Sequence, residues 1–442
     1  MQFFRSPALR NRVNAGALLI VMLLWGLHLG YPMNLLQNER WTFMGYAVPI
    51  YFFFTVGLMG GAAALALALK RGWSRWELLW WALPLICLPG VLHSGDLVWS
   101  ARQWLSWIVR GVIPGGVIFL AAPRGKPSAM LLYFIYPVVI AASLLGLREV
   151  YTHRNPLWDR FDSSFGGSIV DTAQPANPFY RPPDQLGSFL VPRGTQGNRI
   201  PYVSTLIGFF PLGLWLLKYK KRFRAAPLLA VGILTSILLL AQVRSAWVGM
   251  LAILLLMQAV GLLRERRETI KIAAGALVLL SVVLAWPETR DLLWTRLHSF
   301  HLSQSSIHER LAALRTVAVL KDHWALGVGY GQFPTACRLY YPSAVVWQGT
   351  PDDQILRWAI ENGVPSLLLL AAFLIGLIRA GWEKIGRMRD IQEADYYKSL
   401  LVGWLGVCTT FIFFDGFYWG ACNMTFWSLL GLYAVSLKPD QQ

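Results

Sequence analysis

Charge is what this sequence has least of. Only 14% of its 442 residues are Asp, Glu, Lys or Arg, against roughly a quarter in soluble domains. That deficit argues against a soluble globular chain, and apolar runs close to the ~20 residues that cross a bilayer put the protein in lipid. Alternation of apolar and polar residues is also lacking, so the spans read as helices rather than strands of a barrel. The four cysteines form no CxxC pair and no Cys/His cluster, so no metal is expected. Cys87 and Cys408 fall within spans as packing residues. Cys337 and Cys422 share the outer side, where a bridge is permitted but spacing does not decide it. No small-x-small cleavage site follows the first apolar run, so MQFFRSPALRNR opens an uncleaved first span. Related halves with a long central cytoplasmic loop are missing too, which weakens a transporter reading.

What is present is an all-α integral membrane protein of about twelve helices, one polytopic domain over residues 1–442. Spans are expected near 13–31, 42–69, 77–92, 103–122, 129–147, 201–217, 226–242, 245–263, 272–286, 364–379, 399–415 and 421–437. Both termini then lie in the cytoplasm, and the inner segments hold KRGWSR, PRGK, KYKKRFR, RERRETIK and RAGWEKIGRMRD. This is the positive-inside pattern. The net charge of +17 therefore sets topology and does not point to nucleic acid. The 21 Trp suit the two interfacial belts.

Two outer loops are long. Residues 150–200 are rich in Pro and Gly and read as irregular; residues 287–362 read as partly helical. Long loops of this kind are often functional. In the second, Ser306-Ile-His-Glu309 is a capping box opening a helix that ends near His323. The following WALGVGYGQF has no strand before it and no clear helix after it, so a nucleotide fingerprint is rejected. A further helix is expected to start at Thr350 as N-cap, with Pro351, Asp352 and Asp353 suiting its first turn. Asp353 and Arg357, four apart, are placed to pair. Asn362-Gly363 stops this helix and Pro365 starts the next span.

Lysine and arginine are divided between the two sides. Every Lys except Lys321 falls in a cytoplasmic segment, whereas Arg154, Arg160, Arg181, Arg193, Arg199, Arg244, Arg290, Arg296, Arg310, Arg315, Arg338 and Arg357 lie on the outer side or at membrane ends. Guanidinium forks suit bidentate recognition of phosphate; a bias of translocation or codon usage gives the same distribution. Arg244 sits in a very short outer turn, AQVRSAWVG, either snorkelling to water or binding a lipid diphosphate head group. Arg110, two turns inside the fourth span, needs Asp96, Asp415 or a ligand as partner. His28 reads as structural, and the other histidines form no metal pair at helical spacing.

In motif order the chain resembles the O-antigen ligase and polymerase superfamily of membrane glycosyltransferases, most closely over residues 240–380. The motifs are the VRSAWVG turn, then one outer loop carrying HERLAALRTVAVL, LGVGYGQF and PDDQILRWAIENG. The resemblance implies a GT-C type fold and transfer of a glycan from an undecaprenyl diphosphate carrier to an acceptor hydroxyl, either a lipid A core sugar or a growing glycan. It implies catalysis outside the inner membrane, with no nucleotide, metal or other cofactor. Membrane lipids are then its surroundings, and nucleic acid is no partner. Arg244 and Arg310 match the arginines that engage the diphosphate; Arg315, Arg199, Arg193 and Asp353 complete the substrate-binding set. The sequence departs from the ligase pattern in one respect: Asp352-Asp353 stand where ligases typically carry His-Asn. Asp352 takes the place of the general base, or the pair merely caps a helix, and the change moves weight towards polymerase. A small-anion transporter and a silent scaffold are the other readings.

Overall fold

A computed structural model of the chain describes residues 7–30, 40–43, 46–68, 70, 72–124, 126–152, 185–186, 189–190, 199–219, 225–241, 243–263, 317–340 and 353–439. Helices lie at each expected span except 272–286, which falls outside the described residues. They are α1 (Pro7–Gly30), α2 (Ile50–Ala68), α3 (Arg75–Ala82) running through a 3-10 turn into α4 (Leu88–Leu92), and α5 (Leu97–Trp107) running through a π turn into α6 (Ile113–Ala121). Next come α7 (Lys126–Thr152), α8 (Arg199–Ile207), α9 (Phe210–Tyr219), α10 (Ala225–Leu240) and α11 (Arg244–Ala259). The short α12 (Val317–His323) and α13 (Phe333–Tyr340) precede α14 (Gln354–Gly386), α15 (Ile391–Phe411) and α16 (Gly420–Ala434).

The expected span 42–69 is shorter than predicted. Its first residues pair as an antiparallel hairpin, β1 (Arg40–Phe43) with β2 (Tyr46–Pro49), and the helix starts only at Ile50. Hydropathy alone does not separate a short apolar strand from a helix start, and Pro49 fits the boundary. A second hairpin joins β3 (Gln185–Leu186) to β4 (Phe189–Leu190).

The core forms around α16, which is buried along its whole length and packs on α6, α15 and α8. Lipid offers no hydrophobic drive for helices to associate, so close backbone approach at small residues does that work. Gly115 faces Gly431 where α6 crosses α16, and Gly208 faces Gly403. Large rings fill the space between, Trp80, Trp107 and Trp427 meeting edge to face at 5.6–5.8 Å.

The bundle has two chemically distinct ends. At one, Lys438 Nζ donates to the carbonyls of Leu120 and Ala122 (2.8 and 2.6 Å), satisfying the last turn of α6. There too Arg124 pairs with Glu393 at 3.0 Å, Lys218 with Asp395 at 3.3 Å, and Lys70 with Glu77. At the opposite end lie the starts of α5, α8, α11, α14 and α16, and with them the glycine-rich turn. These ends are called below the lysine end and the arginine end.

Candidate functional site

Polar residues of α14 recur on its inward face. Gln354, Arg357, Trp358, Glu361 and Asn362 are all buried, at the i, i+3, i+4, i+7, i+8 spacing that normally carries apolar side chains. Burying ionisable groups at membrane depth is costly unless they pair, and here they pair with one another. Arg357 Nε donates to Glu361 Oε1 at 3.0 Å, and its NH1 donates to Asp415 in the α15–α16 connection. Tyr418 donates its hydroxyl to Glu361. The guanidinium carbon lies over the Tyr418 ring, 3.4 Å from its centroid, a cation–π contact that burial strengthens. Gln354 Oε1 accepts from Phe417 N at 2.8 Å, so the same connection is held at a second point.

The predicted Asp353–Arg357 pair is therefore replaced. Asp353 is the N-cap of α14, its Oδ1 accepting from Ile355 N (2.8 Å) and Leu356 N (3.1 Å). The helix begins three residues later than the expected Thr350 cap; Thr350, Pro351 and Asp352 lie outside the described residues. Arg357 turns inward, where two buried carboxylates outcompete one on the rim.

Asn362-Gly363 breaks α14 as the sequence predicts, with Gly363 at φ +82°. Pro365 has no N–H to offer the carbonyl of Glu361, so the break releases main-chain groups that need partners. The glycine-rich turn supplies them. Val328 N donates to Ile360 O (2.9 Å), Gly329 N to Glu361 O (3.0 Å), and Val364 N to Trp324 O (2.7 Å). Gly327 has φ +72°, and a Cβ there would strike the backbone of Glu361 and Asn362. On its other flank the turn is held by α5, where Ser100 Oγ donates to Tyr330 O (2.8 Å) and Trp99 Nε1 to Gly331 O (3.1 Å). Tyr330 stacks on Tyr418, ring centroids 5.8 Å apart. A helix, α13, does follow the turn, and the N–H of its first residue, Phe333, donates to Glu361 Oε1 at 3.3 Å.

Arg244 is the first residue of α11 and half-buried, its N-cap Val243 giving no side-chain bond. A cation at this position adds to the positive end of the helix dipole instead of opposing it. The helix α8, which starts at Arg199, packs against α11, and Cys422 Sγ at the start of α16 donates to Pro201 O at 3.2 Å. Several helix starts thus share the arginine end. The side chain of Arg199 is not among those described, and Arg193, Arg310 and Arg315 lie outside the described residues.

Arg110 sits in the π turn Ile108–Val112, beside His28, both side chains flanking Gly420. Of its expected partners, Asp96 caps α5 on Trp99 N (2.9 Å) and Asp415 holds Arg357. The bridge left open between Cys337 and Cys422 does not form: both are free thiols. Cys337 packs with Val319, Phe333 and Ile360, whereas Cys422 bonds Pro201.

Sequence reading singled out neither Glu361, Tyr418 nor Tyr330 as site residues. The polar stripe at helical spacing was the available signal for Glu361; the tyrosines gave none, since aromatics are common at every span end.

These features define an integral membrane protein of helices with a buried, charged centre at one end. Residues 229–371, about a third of the chain, match the sequence model of the O-antigen ligase family, which supports the resemblance to the O-antigen ligase and polymerase superfamily. No curated protein matches the chain. The matched segment runs from α10 past the break in α14 and includes Arg244, the glycine-rich turn and the Arg357–Glu361 pair.

Proposed function

We propose that the protein transfers a glycan from undecaprenyl diphosphate to an acceptor hydroxyl at the arginine end of the bundle, on the outer face of a bacterial inner membrane. The family match over residues 229–371 carries this reading. The acceptor oxygen attacks the anomeric carbon, the bond from that carbon to the diphosphate breaks, and the hydroxyl proton passes to Asp352. Arg244 and Arg310 take up the negative charge that grows on the departing diphosphate, a role suited to fixed forks in a water-poor site. Arg315, Arg199 and Arg193 extend the binding surface for the carrier and glycan, and Asp353 holds the start of α14 in place through its cap bonds. No nucleotide or metal enters these steps.

The Asp352-Asp353 pair, in place of the His-Asn usual in ligases, favours a growing glycan as acceptor, which is the polymerase form of the same reaction. Purified protein reconstituted with lipid-linked glycan tests both. Lengthened glycan is the polymerase product, and glycan joined to added lipid A core is the ligase product. Absence of either, with anion uptake into the same vesicles, overturns the proposal in favour of a transporter.

A further inference from the structure

Gly363 cuts α14 in two. Its φ of +82°, with Pro365 just beyond, ends the helical run of residues 354–362 before the long run that crosses the bilayer begins. The short helix therefore does not inherit its direction from the membrane rod. Contacts along its side set it.

Those contacts are polar and lie on one face. Gln354, Arg357 and Glu361, three and four residues apart, share that face. Gln354 accepts from Phe417 N, Arg357 donates to Asp415, and Glu361 accepts from the Tyr418 hydroxyl. All three partners belong to the connection between α15 and α16. Glu361 holds more than the others. Its Oε1 accepts from Arg357 Nε at 3.0 Å and from Phe333 N, at the start of α13, at 3.3 Å. Its Oε2 takes Tyr418, and its carbonyl takes Gly329 N at 3.0 Å. A single residue, 1% exposed, thus joins the short helix, α13, the glycine-rich turn and the connection.

Stability does not call for this arrangement. Well-packed apolar side chains serve a buried helix face as well as ion pairs do, or better, and this face is where they normally sit. What apolar packing lacks is direction. Hydrogen bonds fix the rotation of a helix about its axis and its register along it, as the frame around a reacting group requires. The group concerned lies at the helix start. Asp353 caps the helix through Ile355 N and Leu356 N. Asp352, the proton acceptor proposed above, is the residue before it, their Cα atoms about 3.8 Å apart across a trans peptide. Whatever aims the short helix aims Asp352.

We propose that Glu361 is a positioning residue for the transfer reaction, holding Asp352 at the acceptor hydroxyl by fixing the short helix against α13 and Tyr418. This rests on the transferase reading. Purified protein is assayed for transfer from lipid-linked glycan, and exchange of its main-chain amides is followed by mass spectrometry. Glu361→Gln keeps the shape and removes the charge. Tyr418→Phe removes only the hydroxyl bound to Glu361 and leaves the ring against Arg357, so it serves if Glu361→Gln folds poorly. Both are expected to lower kcat by about 10²-fold, the cost of a displacement of about 1 Å, with KM unchanged. Exchange is expected to quicken over residues 354–362 and not over the run beyond Gly363. The triple variant Arg357→Met, Glu361→Gln, Asp415→Asn separates position from stability: it is expected to regain melting temperature but not kcat. A kcat unchanged in Tyr418→Phe, a loss carried wholly by KM, or a kcat that returns with the melting temperature overturns the proposal. So does unaltered exchange over residues 354–362. No product from the unaltered protein overturns the transferase reading itself.

Discussion

Arg357 and Asp415, 58 residues apart in sequence, form a buried ion pair that fastens the start of α14 to the connection between α15 and α16. Glu361 makes it a three-membered set. Removing one member of such a set leaves a charge without its partner in a medium that cannot solvate it, at a cost of about 3–5 kcal/mol. Arg357→Met is therefore expected to lower the melting temperature sharply in detergent. The triple replacement Arg357→Met, Glu361→Gln, Asp415→Asn is expected to recover much of the loss, because no ionised group is then stranded. A triple variant no more stable than the single one would show that shape rather than charge matters here.

Gly327 and Gly386 make a matched comparison. Gly327 is left-handed and its missing Cβ is replaced by the backbone of Glu361; Gly386 has open space around it. Gly327→Ala is expected to cost at least the ~1–2 kcal/mol of a left-handed L-residue, with a further steric penalty. Gly386→Ala should be neutral or stabilising by a few tenths of a kcal/mol, as its unfolded chain has less freedom to lose. Thermal unfolding of the two variants side by side checks this.

Arg244→Lys keeps the charge and loses the fork. If the guanidinium holds a departing diphosphate, turnover falls by about 10²-fold, the effect of deleting one donor to a developing oxyanion. Folding should be little changed, since Arg244 is only half-buried. Transfer rate and melting temperature measured on the same preparation separate the two effects. An unaltered rate would remove Arg244 from the reaction.

The free thiols of Cys337 and Cys422 lie in different clusters. Oxidant is therefore expected to leave the mobility of the monomer on a non-reducing gel the same as that of Cys337→Ser. A faster-migrating form, lost in that variant, would contradict the structure.

Hydropathy located most spans because each needs only its own residues to be read. The break at Gly363 was legible for the same reason, Asn-Gly and Pro acting locally. What escaped was set by residues distant in sequence. Arg357 has acidic neighbours four positions away on either side, Asp353 and Glu361, and nothing local chooses between them. Asp415 decides by drawing the guanidinium inward. The hairpin of residues 40–49 escaped for another reason: a short apolar stretch has the same hydropathy in either conformation. Arg244 was legible as an unusual charge between apolar spans, whereas Tyr418 and Tyr330 gained meaning only from what they touch.

The three main-chain bonds between residues 324–329 and residues 360–364 have a mechanical consequence. A segment joined in this way to a bilayer-spanning rod has no hinge of its own; lifting it away breaks the bonds that replace those lost at Pro365. This part of the arginine end thus behaves as a fixed anvil, and any motion at this end belongs to segments anchored elsewhere.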